Sequence, residues 1–460
     1  FTGTGVTVAV LDTGVDATHP DLAGRVAEQR EFIDDGLGTS DVVGHGTHVA
    51  STIAGNGAAS GGKFRGVAPD ATLISGRVCE PRGCPGSAIL AGMAWAAAEA
   101  HAQIVNMSLG GDDTPDIDPL EDAVNQLSAQ YGTLFVIAAG NRGFSAQTIE
   151  SPGSADAALT VGAIDRDGTR AEFSGQGPRV GDEALKPDLT APGVGIVAAR
   201  ASVVGPDPSD PNSPSYLAIS GTSMATPHVA GAATLVHQQH PSWTGAQLKA
   251  ALMAAAAPNP AQTALEQGAG LVDLERATRQ ALAAEPPSLS LGAIESPFTG
   301  AQTRTLTYRN DGGQAITLAL TATLAPTGAP TPPGMITVSP AALTVPAGGA
   351  AAATVTVDHQ ASALEGQFSG AVIATAGDQR VVTPIAVDRH PPAFNLTLRA
   401  LDTAGAPTRA GVLVIALPSG DTGQILVDGE ATLRLAIGRY ALSATLSDPD
   451  SVDMLEYPRL

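Results

Sequence analysis

Residues 6–14 read Val-Thr-Val-Ala-Val-Leu-Asp-Thr-Gly. The first six are β-branched or apolar with little polar alternation, the mark of a strand buried on both faces in a parallel sheet. Asp12 follows at once, at the carboxyl end of the run, where open parallel sheets gather their functional side chains. An aspartate that merely caps a turn is the alternative reading at this point.

Working outward, short apolar runs recur at 71–78, 104–109, 134–139 and 159–164. Between and after them lie helical stretches near 87–101, 119–131 and 222–240. This alternation predicts an α/β domain, a parallel sheet with helices on both faces in three layers, over residues 1–284. It stops at Glu285-Pro286-Pro287. From 286 to 390, runs at 303–308, 316–322, 341–345, 352–357, 369–374 and 381–387 are separated by Gly and Pro turns and predict an all-β sandwich. After His390-Pro391-Pro392 a second β-rich module is expected over 391–460, short enough to be incomplete.

The chain has 460 residues, 43% of them hydrophobic and 15% charged, enough apolar material for two or three cores. With 24 Lys and Arg against 45 Asp and Glu, the net charge is −21, which repels nucleic acid and anionic membrane. No apolar run approaches the roughly 18 residues that span a bilayer, so neither nucleic acid nor membrane is expected as a partner. The sequence begins at Phe1 with no basic start and apolar core, so a targeting segment is expected to be absent from it or removed. The two cysteines, Cys79 and Cys84, flank the short loop Glu80-Pro81-Arg82-Gly83, which can turn tightly enough for a disulfide. Two free thiols are the alternative. Half a zinc ribbon lacks a second ligand pair.

Residues 44–50, Gly-His-Gly-Thr-His-Val-Ala, place two histidines three apart among small residues. A metalloprotease helix would need them four apart with a glutamate between, so acid–base work is the better reading. Residues 220–231 are Ser-Gly-Thr-Ser-Met-Ala-Thr-Pro-His-Val-Ala-Gly. A helix starting near Ser223 sets a hydroxyl beside free N–H groups and a positive dipole end, which suits an oxyanion. For a lone serine a plain N-cap would serve equally. Pro227 is expected within the first turn, where its missing N–H leaves no gap. A serine needs a base, and a histidine base needs a carboxylate to fix its tautomer. The chain supplies Asp12, His45 and Ser223 in that order, whereas a lipase-type elbow would need glycine at Ala225 and the serine first.

Three blocks, Val10-Leu11-Asp12-Thr13-Gly14, His45-Gly46-Thr47-His48-Val49-Ala50 and Gly221 to Gly231, resemble in order and spacing the signatures of the subtilisin-like serine proteases. Sedolisins share a Ser-Gly-Thr-Ser block but have Glu in place of His45. The resemblance covers about residues 1–284 and implies a secreted, monomeric endopeptidase acting on protein or peptide substrates through an acyl-enzyme. It implies that Asn141, in Ala138-Ala139-Gly140-Asn141, donates the second oxyanion hydrogen bond; a simple turn at Gly140 is the alternative. Met107-Ser108-Leu109-Gly110-Gly111 resembles the strand edge that pairs with substrate, with Ser108, Leu109 and Gly110 binding it and walling the primary pocket. Counting back from Ser151-Pro152-Gly153 places Glu150 at the pocket floor, where it would favour a basic residue before the scissile bond; turned to solvent, it would leave a broad apolar pocket. No cofactor is required and no metal ligand is assigned. Calcium is expected at most as a structural ion; Asp34-Asp35 or Asp165 with Asp167 could contribute oxygens, but neither pair has a full loop signature and both read as solvated surface charges. The region 286–390 resembles the fibronectin type III-like domains of large secreted members, and 391–460 is reminiscent of carboxypeptidase-regulatory-like sandwiches.

Overall fold

The computed structural model describes residues 1–205, 214–417, 422–447 and 454–456. Its first domain is built on a seven-stranded sheet. The strands are β1 (Thr7–Asp12), β2 (Val26–Glu31), β3 (Thr72–Arg77), β4 (Ile104–Met107), β5 (Leu134–Ala138), β6 (Leu159–Ile164) and β7 (Leu189–Pro192). They run parallel in the order β2-β3-β1-β4-β5-β6-β7.

Successive residues of β1 serve opposite layers, because strand side chains alternate faces. Val8 and Val10 join one core with α1 (His45–Ala54), α4 (Thr222–Gln239) and α5 (Gly245–Ala255). Ala9 and Leu11 join the other with α2 (Gly86–Ala94) and α3 (Pro119–Tyr131). The expected three layers are therefore present. The chain leaves β1 toward β3 on one side and β4 on the other, so the strand order reverses at β1 and a crevice opens beyond Asp12.

Two expectations need correcting. The helix expected to reach His101 stops being α-helical after Ala94 and widens into a π turn over Trp95–Glu99, with His101 left-handed at φ 50°. Pro227 lies in the second turn of α4, not the first, because the helix starts at Thr222.

An antiparallel pair, β8 (Ile196–Ala199) and β9 (Tyr216–Ile219), leads into α4. After α6 (Ala264–Gln267) and α7 (Leu274–Ala277) the chain becomes all β. The strand β10 (Leu282–Glu285) lies N-terminal to Pro286 and already pairs with the long strand Ala301–Asn310. Sheets of four and five strands form the sandwich, with Leu306, Tyr308, Val355, Val372 and Phe368 filling its interior at period two. The last segment has a two-stranded and a four-stranded sheet around Val412, Val414 and Val427.

Candidate active site

Asp12 ends β1 and is 2% exposed. One of its carboxylate oxygens, Oδ1, accepts from the Thr13 N–H at 2.7 Å and lies 2.8 Å from His45 Nδ1. His45 opens α1, where Gly44 turns the chain with φ 100°, a conformation glycine adopts without a Cβ clash. Burial works against an imidazolium at His45, but the neighbouring Asp12 carboxylate, with Asp41 behind it, outweighs this and raises its pKa. With Nδ1 taken by Asp12, Nε2 is left for the cleft that His45 lines.

His48 does something else. It is fully buried, its Nε2 sits 3.0 Å from the Ile196 carbonyl, and burial pushes its pKa down to about 4. It pins α1 to β8 as a neutral ring.

Asp41 was not singled out by its sequence, yet it organises the turn before α1. Its buried carboxylate accepts from the N–H groups of Val43, Gly44 and Thr47 and from the hydroxyls of Thr13 and Thr47, at 2.6–3.0 Å. Thr13 in turn accepts from the Gly46 N–H. The loops carrying Asp12 and His45 are thus sewn to one anion.

Ser223 is the second residue of α4. Pro227 cannot donate to the carbonyl four residues earlier, that of Ser223, and the Ser108 hydroxyl supplies the missing bond at 2.8 Å. The Ser223 hydroxyl donates back to the Ser108 carbonyl at 3.1 Å. Among the described residues no hydrogen bond joins Ser223 to His45; the Ser223 hydroxyl is held by Ser108 instead. Asn141 is fixed from the same helix end: its Oδ1 accepts from the Thr222 N–H at 2.9 Å and hydroxyl at 3.1 Å. Both its Nδ2 and the Ser223 N–H stand within 4 Å of where a Cβ on Gly221 would lie. These two nitrogens and Asn141 Oδ1, itself 3.7 Å from that point, border one small space.

A cleft of about 470 Å³ runs beside this constellation, lined by Asp12, His45, Ser108, Leu109, Gly110 and the loop of Cys79 and Cys84. The two cysteines form a disulfide. Their loop hangs directly from the Asp12 backbone, whose carbonyl accepts from the N–H groups of Val78 and Cys79. Behind Gly110, the backbones of Gly111 and Ser151 exchange both hydrogen bonds, joining the two sequence-expected walls. Glu150 lies between those walls, 14% exposed, with its Oε2 3.1 Å from where a Cβ on Gly110 would stand and its Cδ 2.5 Å from one on Gly140. The proposed calcium contributors are engaged by the chain itself: Asp35 by Arg77 and the Leu37 N–H, Asp167 by Thr169 and Asp165 by the Arg166 N–H. They do not make a cation loop.

The chain is similar to known proteins over its first domain. The pattern of the subtilase family matches residues 3–271. Serine protease AprX of Bacillus subtilis (strain 168) is 41% identical over 271 residues, 54% of this chain and 60% of AprX. Subtilisin BL of Lederbergia lenta is 41% identical over 281 residues, 61% of this chain and 93% of its own. A cold-adapted subtilisin-like serine proteinase of solved structure is 34% identical, covering 59% of this chain and 88% of that one, with a TM-score of 0.48. The family pattern takes in the whole seven-stranded sheet with the elements that carry Asp12, His45, Asn141 and Ser223, and the chain belongs to the subtilase family of serine proteases.

Proposed function

We propose that the enzyme is an endopeptidase in which Ser223 is the nucleophile, His45 the base, Asp12 its orienting carboxylate and Asn141 an oxyanion donor. The carrying observation is the 2.8 Å contact of Asp12 with His45 Nδ1 on the cleft that also holds Ser108 to Gly110, the strand edge bonded to Ser223. Ser223 Oγ turns toward His45, gives its proton to Nε2 and attacks the substrate carbonyl. Negative charge gathering on that oxygen meets the Asn141 Nδ2 and the Ser223 N–H. His45 returns the proton to the departing amine, and a water repeats the sequence on the acyl-enzyme. The chemistry passes through no metal; calcium, where bound, is a structural ion. Extended substrate pairs with the backbone of Ser108, Leu109 and Gly110, so recognition is tolerant of sequence along the peptide.

Glu150 is the acid of the primary pocket and favours Arg or Lys before the scissile bond, a charge-assisted contact in a partly dry site. Its place between the glycine faces of Gly110 and Gly140 supports this. The enzyme works outside the cell, since a disulfide persists in oxidising compartments, and acts there as a monomer on protein substrates. Residues 286–390 are a fibronectin type III-like module and 391–460 a second sandwich, both accessory to the peptidase domain 1–284.

A fluorophosphonate that labels the parent in one equivalent, and fails on Ser223→Ala, tests the nucleophile. Absence of labelling in the folded parent would reduce the chain to a binding scaffold. Matched peptides with Arg, Lys, Leu, Phe and Glu before the cleaved bond, repeated with Glu150→Gly, test the pocket.

A further inference from the structure

One guanidinium reaches the carboxylates of both Glu150 and Asp112. Arg142 directly follows Asn141, and its Nε lies 3.6 Å from Glu150 Oε1 while its Nη1 meets the carboxylate of Asp112. Asp112 belongs to the wall that includes Gly110, and Glu150 to the opposite one, so the side chain bridges the two. The three partners differ sharply in burial: Glu150 is 14% exposed, Arg142 61% and Asp112 80%. Glu150 Oε1 also lies 3.4 Å from the Asn141 N–H, whereas Oε2 faces Gly110.

We propose that Arg142 is a specificity-determining residue, a built-in counter-ion that a basic substrate side chain must displace from Glu150. The inference rests on Glu150 being the pocket's acid, as read above. Ion pairs with one largely solvent-exposed partner are weak enough for a substrate cation to exchange with. Asp112, out on the rim, gives the released guanidinium an anion to fall back on, so displacement leaves no charge stranded. Selectivity for Arg or Lys over apolar side chains is therefore a contest between an internal and an incoming cation, and the resident arginine mutes it.

The test compares kcat/KM for matched peptides carrying Arg or Phe before the scissile bond, with active sites counted by fluorophosphonate. The enzymes are the parent, Arg142→Gln, Arg142→Lys, Glu150→Gln and the Arg142→Gln/Glu150→Gln double variant. Arg142→Gln should raise the Arg-to-Phe ratio about fivefold, the fold-change equivalent of ~1 kcal/mol. Arg142→Lys should hold the parental ratio, since it keeps the charge. Glu150→Gln should lower the ratio, and in that background Arg142→Gln should no longer raise it. A ratio that falls with Glu150→Gln but is indifferent to Arg142→Gln overturns the counter-ion and leaves the pocket acid standing. A ratio that Glu150→Gln does not move overturns both, and an Arg142→Gln effect that persists without Glu150 overturns the counter-ion role.

Discussion

His45 holds its proton to higher pH than a free imidazole, because Asp12 at 2.8 Å and the Asp41 charge outweigh the opposing effect of burial. As the proposed base His45 must be neutral to work, so activity should fall as pH drops through a midpoint above 6.5, seen as the acid limb of a kcat/KM profile. The same shift makes the Asp12–His45 pair stabilising below pH 6.5, an effect lost as pH rises through the folded-state value. Asp41→Asn should move the acid limb to lower pH. It should also lose about 1–3 kcal/mol of stability in urea titrations, because an amide nitrogen meets N–H donors where an oxygen accepted them. Asn141→Ala should lower turnover about 10²–10³-fold, the loss known for an oxyanion donor in a subtilisin, with KM little changed. Asp12, His45 and Ser223 were legible because each stands in a short block whose small neighbours leave few other uses. The contacts now separate His45 from its neighbour His48: one meets a carboxylate, the other two carbonyls. Asp41 was hidden because its five donors converge only when the turn closes.

At the scale of elements, the apolar runs showed the five central strands and missed both edges, the four-residue β7 and β2. Its sequence, Val-Ala-Glu-Gln-Arg-Glu, lies at the sheet edge with half of its residues exposed, so no burial pattern marks it. The Cys79–Cys84 loop walls the cleft and hangs from Asp12. Replacing both cysteines by serine should cost about 2 kcal/mol, the loop-closure effect of so short a ring. In peptide kinetics it should raise KM more than it lowers kcat, since the N–H bonds to the Asp12 carbonyl remain. Behind the pocket, a second buried knot joins three elements. Lys186 and Lys249 share Asp188, and their ammonium groups also donate to the Ala158 carbonyl at the start of β6. Asp188→Ala would strand two buried cations and should destabilise by about 3–5 kcal/mol. Burial drives the Lys186 pKa from 10.5 down to about 7, against the pull of Asp188. Below pH 7 both folded and unfolded forms carry the proton and the penalty is full. Above it only the unfolded chain keeps the proton, so stability should climb between pH 7 and 10.5. Urea midpoints at pH 7 and 9.5 should show the rise in the parent and lose it in Lys186→Met.

At the scale of the molecule, the sandwich is sewn into the peptidase core. Val382 and Ala371 pack in the cluster of α4 and α5, while Ala386 meets Leu185, Ala264 and Leu265. Arg380 donates to the Ala256 carbonyl and Arg276 to that of Asp378. Residues through 387 should therefore melt in one calorimetric transition. A chain ending at Ala284 should melt about 4–8 °C lower, the shift for roughly 2 kcal/mol in a domain of this size. Such joins could not be read from periodicity, which marks what each element buries and is silent about its neighbour. The same holds for Pro227. By breaking the bonding of α4 at Ser223, it hands that carbonyl to Ser108, in the segment that follows β4. The fold thereby acquires a mechanical linkage: one hydroxyl ties the segment after β4 to the first turn of α4, so a displacement of either is passed to the other.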